Sequence, residues 1–113
     1  MKKLESDPTG RTPQTPGAKL DAGKNRLGLV LGGFALALQE VGKVGTYGAQ
    51  KYSDNGWMSV PDGQRRYLDA MLRHWAKESS GEQFDNDTGL THLAHMAWNA
   101  LAVLELEMRR VKS

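Results

Sequence analysis

An all-α protein is what the sequence predicts: three main helices with a long loop and an extended N-terminal arm, assembled as a helical homo-oligomer. Apolar side chains recur every three or four positions in three separate segments, as one face of a helix requires. Breaks at Pro61 and Gly81 part the segments. Between Leu93 and Leu104 the third segment is apolar almost all round, apart from His95 and Asn99, and a chain of 113 residues can hardly cover such a helix alone. With 39% hydrophobic and 25% charged residues, one modest core can form. Residues 1–16 are expected as a flexible arm and 17–113 as a single helical domain.

The arm comes first. Residues 1–26 hold three of the four prolines and almost no large apolar side chains, so they should stay extended. They also hold six basic and three acidic side chains, which leaves the following residues one unit negative in a chain of net charge +2. A basic tail ahead of a near-neutral domain is not the broad cationic face of a duplex-DNA binder, so nucleic acid is an unlikely partner. Within the tail, Lys19, Lys24 and Arg26 stand among glycines, where they either fold over an anion or remain solvated.

Helix one is expected from Leu27 to about Gln50, with Leu31, Phe34, Leu38, Val41 and Val44 on one face. Gly32 and Gly33 each cost a helix about 1 kcal/mol against alanine, which hints at a bend or a close helix neighbour. Pro61 fits a helix start, and residues 62–79 carry Leu68, Met71, Leu72 and Trp75 on the apolar side of helix two, with Asp69 and Arg73 spaced for an ion pair. Helix three should run from about Gly89 to Val111, capped by Asp87 or Thr88.

No apolar run reaches the roughly 20 residues that span a bilayer, and the N-terminus lacks the apolar core of a signal peptide, so no membrane partner and a cytoplasmic location are expected. Zero cysteines exclude disulfides and cysteine-bound zinc.

Two stretches carry chemistry. VGTYGAQKYSDNGW, residues 44–57, combines Gly45, Gly48 and Gly56 with the flat faces of Tyr47, Tyr52 and Trp57 and the charge of Lys51. These ingredients suit a nucleotide, or an ordinary packed loop. On helix three, His92, His95 and Asn99 fall on one stripe, and His74 can approach if helices two and three are antiparallel. Glu82, Asp85 and Asp87 lie in the connection. His74, Glu82, Asp85, His92 and His95 are thus candidate ligands of a divalent metal, with a hydrogen-bonded core or recognition of base and phosphate as the alternatives.

The runs GAKLDAGKNRLGLVLGGFALALQEVGKVGTYGAQKYSDNGW and RRYLDAMLRHWAKESSGEQFDNDTGLTHLAHMAWNAL resemble the bacteriophage family labelled dATP/dGTP diphosphohydrolase, N-terminal domain, over roughly residues 17–107. The resemblance implies phage origin, a role in nucleotide metabolism and a stand-alone copy lacking a linked MazG-like domain. MazG-like enzymes hold magnesium through paired carboxylates, because a transferring pyrophosphoryl group demands several hard oxygen ligands. Here Glu40 is followed three residues later by Lys43, and Glu105 and Glu107 are two apart on different sides of a helix.

Two functions follow as expectations. One is a sponge-type anti-defence protein that sequesters a phosphorylated, and conceivably cyclic, nucleotide immune signal in the cytoplasm of an infected bacterium, by analogy of size and pocket chemistry. Tyr47, Tyr52 or Trp57 would stack on the base, and Lys24, Lys51, Arg66 and Arg73 would meet phosphates. His92, His95 and Asn99 would read polar edges, in pockets between subunits and with no cofactor needed. The alternative is a metal-dependent dATP/dGTP diphosphohydrolase using Mg or Mn.

Overall fold

The computed structural model describes residues 4–112 and divides at Gly33–Phe34 into two compact units. The first three residues of the expected arm lie outside the described residues.

In the first unit the arm folds back on itself, where an extended tail was expected. Asp7 is buried, and its carboxylate accepts hydrogen bonds from the Thr9 amide and hydroxyl and, at 2.6 Å, from the Lys19 amide. The Thr9 hydroxyl and these amides hold the Asp7 carboxyl below the usual carboxylate range, against its partial burial. The Ala22 amide donates to the Ser6 carbonyl at 2.8 Å, and Lys24 pairs with Glu5 at 3.0 Å. Helix α1, Leu27–Gly33, ends the unit.

The second unit contains α2 (Ala35–Lys51), a 3₁₀ turn (Gly56–Ser59), α3 (Gly63–Ser79) and α4 (His92–Lys112). The described residues are thus all-helical apart from one isolated bridge between Phe84 and Thr91. Helix one of the sequence reading is two helices, α1 and α2. Gly32 and Gly33 weaken the run, and Phe34 leaves helical geometry at ψ 29°. Among the described residues no single helix is long and apolar enough to cross a membrane.

α3 and α4 pack antiparallel, because their partners run in opposite orders. Gln64 donates to Glu107 at 2.9 Å, the rings of Tyr67 and Trp98 lie 5.5 Å apart, and His74 meets His92. Two glycines set the distances. A methyl on Gly63 would lie 3.1 Å from Leu106 Cδ1, and one on Gly45 would lie 3.3 Å from Trp98 Nε1, so α4 approaches both neighbours where a side chain is missing. Buried apolar side chains are few: Val44, Ala94 and Ala102.

Two local expectations are corrected. Asp69 pairs with Arg65, one turn earlier, at 3.2 Å and not with Arg73, because Arg65 also reaches back to Asp62 and is drawn between the two acids. The cap of α4 is Thr91, whose hydroxyl accepts from the Ala94 amide at 3.1 Å, while Asp87 and Thr88 stand too far upstream.

Candidate metal centre

The end of the α3–α4 pair and the connection between them, residues 80–91, assemble a polar group inside the helical fold. The connection turns at Gly81 and Gly89, both at positive φ, a region where a side chain is strained. It is then pinned by Asp85 N to Leu90 O at 2.8 Å, Gly89 N to Asp85 O at 2.8 Å and His92 N to Gln83 O at 3.0 Å. The Asp85 carboxylate closes a turn on Thr88, accepting from its amide at 2.9 Å and its hydroxyl at 3.0 Å.

His92 is the one described side chain with no exposure at all. Its Nε2 lies 2.6 Å from Glu82 Oε2 and its Nδ1 lies 2.8 Å from His74 Nδ1. With the carboxylate accepting, Nε2 carries the hydrogen of this contact, and Nδ1 of the same ring faces His74. His95 stacks on His74 at 4.3 Å with planes 5° apart, and its Nε2 contacts the Thr88 hydroxyl at 2.7 Å. Asn99 is buried and donates to the His95 carbonyl one turn back.

The environment sets the charges. Burial, reinforced by neighbouring His95, pushes His74 down to about 4, and burial lowers His95 as well. For Asp85, burial opposes ionisation, but the Thr88 amide and hydroxyl, aided by His95 and His74, bring it below the usual carboxylate range. At neutral pH the His74 imidazole is therefore uncharged and Asp85 is ionised, the states in which these two side chains can ligate a cation. A pH dependence follows. Unfolded His74 takes up a proton near 6.5 and folded His74 only near 4, so the stability this residue contributes is complete above about pH 6.5 and is lost as the pH falls toward 4. Asp85 acts in the same direction at lower pH. The urea midpoint of the metal-free chain is expected to fall between about pH 7.5 and about pH 4.5, and equal midpoints would contradict buried neutral rings.

One ligand atom each from His74, Asp85 and His92 lie within 4.8 Å of one another. One feature of the surroundings fits a cation, and a second is an unpartnered oxygen on the same face of α3 as His74. Glu82, on the far ring nitrogen of His92, completes the carboxylate–histidine arrangement that orients metal ligands. Glu78, one turn beyond His74 on α3, has a buried Oε2 with no hydrogen-bond partner among the described residues. Sequence reasoning missed Glu78, although its spacing of four from His74 was a usable signal, and it read Thr88 only as a cap.

The remaining candidates are scattered. Trp57 packs edge-on against Tyr67 at 6.2 Å and Trp98 at 5.6 Å, and the Tyr67 hydroxyl donates to the Trp57 carbonyl at 2.8 Å. Tyr52 is 78% exposed, with Lys51 Nζ 5.3 Å from its ring. Arg66 donates to the Pro61 carbonyl at 3.2 Å, Arg73 and Asp87 are exposed, and Lys24 belongs to the first unit. Tyr47 lines a groove beside Thr88.

An all-helical domain that brings donor atoms of His74, Asp85 and His92 within 4.8 Å of one another is, by class, a candidate metal-binding helical domain. The chain belongs to the dATP/dGTP diphosphohydrolase, N-terminal family, whose model matches residues 14–113. A dATP/dGTP diphosphohydrolase of Salmonella phage PMBT28 is 34% identical over 97 residues, 86% of this chain and 32% of that protein. The chain thus spans about a third of the length of this relative. No solved structure matches it.

Proposed function

We propose that this chain is a metal-dependent nucleotide phosphohydrolase domain that acts on dATP, dGTP or a closely related deoxynucleoside triphosphate. The observation that carries the reading is the set of donor atoms of His74, Asp85 and His92 within 4.8 Å. These residues would hold a divalent cation, with Glu82 orienting His92. Two imidazoles and one carboxylate favour a transition ion over magnesium, which prefers oxygen ligands alone, and manganese is the transition ion whose ligand preference lies nearest to that of magnesium. When bound, the cation supplies charge against phosphate oxygens and acidity to a water molecule. In the net reaction water oxygen attacks the α-phosphorus, the bond to the bridging oxygen of the β-phosphate breaks, and monophosphate, diphosphate and a proton are released. Family membership and the name of the phage relative support this substrate class.

Sequestration draws less support, because its stacking residues are divided: Trp57 is engaged with Tyr67 and Trp98, and Tyr52 stands in solvent. Assembly belongs to the same proposal. Leu93, Leu101, Leu104 and Met108 of α4 are about half exposed in a single chain, and a second copy would cover them.

The test uses chain dialysed against manganese and incubated with dATP and dGTP. Expected are bound metal by mass spectrometry, monophosphate and diphosphate by chromatography, and a mass above one chain by light scattering. Intact nucleotide recovered only after heat denaturation would replace hydrolysis by sequestration.

A further inference from the structure

A second concave surface adjoins the histidine–aspartate group and has no role in the account above. It is a groove of about 470 Å³ between α2 and the connection that leads into α4, within the size range of small-molecule sites. Gln39, Lys43, Tyr47 and Gln50 line it from α2, and Thr88 and Leu90 line it from the connection. These four α2 residues sit at intervals of four, four and three along one stripe of the helix, and Gly42 and Thr46 line the groove beside them. Thr88 is shared between groove and metal centre: the residue that lines the groove is the one whose hydroxyl lies 2.7 Å from His95 Nε2 and 3.0 Å from Asp85 Oδ2.

The lining has a particular chemistry. Gln39 and Gln50 each present an amide with two donors and an acceptor, the complement of a heteroaromatic base edge, where donors and acceptors alternate. Tyr47 offers a ring that is 37% exposed, enough for a base to stack on. Lys43, the cation in the lining, is paired with Glu40 at 2.8 Å, so the groove is close to electrically neutral and poorly suited to a triphosphate. A near-neutral, amide-lined groove with an aromatic face thus shares the Thr88 hydroxyl with the cation-ligating group. A nucleotide joins the same two kinds of part, a neutral base and phosphates that bind cations.

We propose that this groove is the nucleobase subsite: Tyr47 stacks on the base, Gln39 and Gln50, on either side of Tyr47 along α2, read opposite edges of it, and Thr88 marks the passage of the phosphate end toward His74, Asp85 and His92. The proposal rests on the hydrolase reading, and it adds the residues that recognise the base.

The experiment separates the two. The full chain and the variants Tyr47→Ala and Gln39→Leu/Gln50→Leu are loaded with manganese, checked by circular dichroism and metal content, and titrated with α,β-methylene-dATP, α,β-methylene-dGTP, α,β-methylene-dCTP and inorganic tripolyphosphate. Tripolyphosphate carries the charge without a base, so its binding also reports that a variant is folded. Expected is a loss of tenfold or more in affinity for the nucleotide analogues in each variant, with tripolyphosphate affinity and metal content unchanged. The double glutamine variant should also lose most of its discrimination among the three bases. Unchanged nucleotide affinity in the variants, or parallel losses for nucleotide and tripolyphosphate, would overturn the subsite. If the chain holds no manganese yet binds the analogues in a Tyr47- and glutamine-dependent way, the hydrolase reading fails and the subsite stands.

Discussion

His92→Ala is expected to abolish cation binding and to destabilise the fold by about 3–5 kcal/mol, the largest effect of any single substitution. The ring is completely buried and makes two ring-nitrogen contacts, to Glu82 at 2.6 Å and to His74 at 2.8 Å. Truncation takes the partner from the half-buried His74 nitrogen, at about 1 kcal/mol or more, lets the 39% exposed Glu82 turn to water, and adds a cavity that the surrounding helices fill only in part. His92→Gln keeps much of the volume and one polar contact, so it should recover part of the stability and little of the metal. Urea unfolding and metal content after dialysis read the two effects separately. A stable His92→Ala chain with undiminished metal would remove His92 from the centre.

Trp98→Ala is the second large change. The indole stands between Trp57 at 5.6 Å and Tyr67 at 5.5 Å, and Gly45 of α2 approaches it closely enough that a methyl would lie 3.3 Å away. One side chain thus joins the 3₁₀ turn, α2, α3 and α4, and its removal is expected to cost about 3–5 kcal/mol. Trp98→Phe, which keeps an edge-on ring, should cost less than half as much. The measurement is the urea midpoint, with metal content as companion. Trp98→Ala should lose stability and keep metal affinity in the fraction that remains folded, since the cluster lies one turn past His95 on α4. An unshifted midpoint would mean that this cluster does not hold the helices together.

Much of the helical plan was legible because it depends on local rules. The spacing of Leu68, Met71, Leu72 and Trp75 and the breaks at Pro61 and Gly81 locate α3 within a residue. The weakness at Gly32–Gly33 is visible as a run of two poor helix formers, but whether it bends or breaks a helix depends on packing beyond the run. His74, His92 and His95 were readable as a group once α3 and α4 were taken as antiparallel, and the 2.8 Å and 4.3 Å separations agree with that reasoning. The roles of Trp57 and Tyr52 were not. An aromatic in a glycine-rich loop has the same sequence signature whether it packs inward, as Trp57 does, or projects, as Tyr52 does. The spacing of Glu78 from His74 puts it on the same face of α3, but spacing alone does not show that one of its oxygens is buried. Thr91 was passed over for Asp87 and Thr88 because all three are good caps, and the choice is made by the Phe84–Thr91 bridge that fixes where the connection ends.

Glu82, His92 and His74 form an unbroken line of hydrogen bonds that runs from a side chain 39% exposed, through the fully buried His92 ring, to the half-buried His74. Each link fixes the direction of the next, so the three residues act as one cooperative unit and not as three separable contributions. Alanine substitutions along this line will therefore not be additive: their separate energies will sum to more than the triple replacement removes, with His92, the shared partner, carrying the largest part.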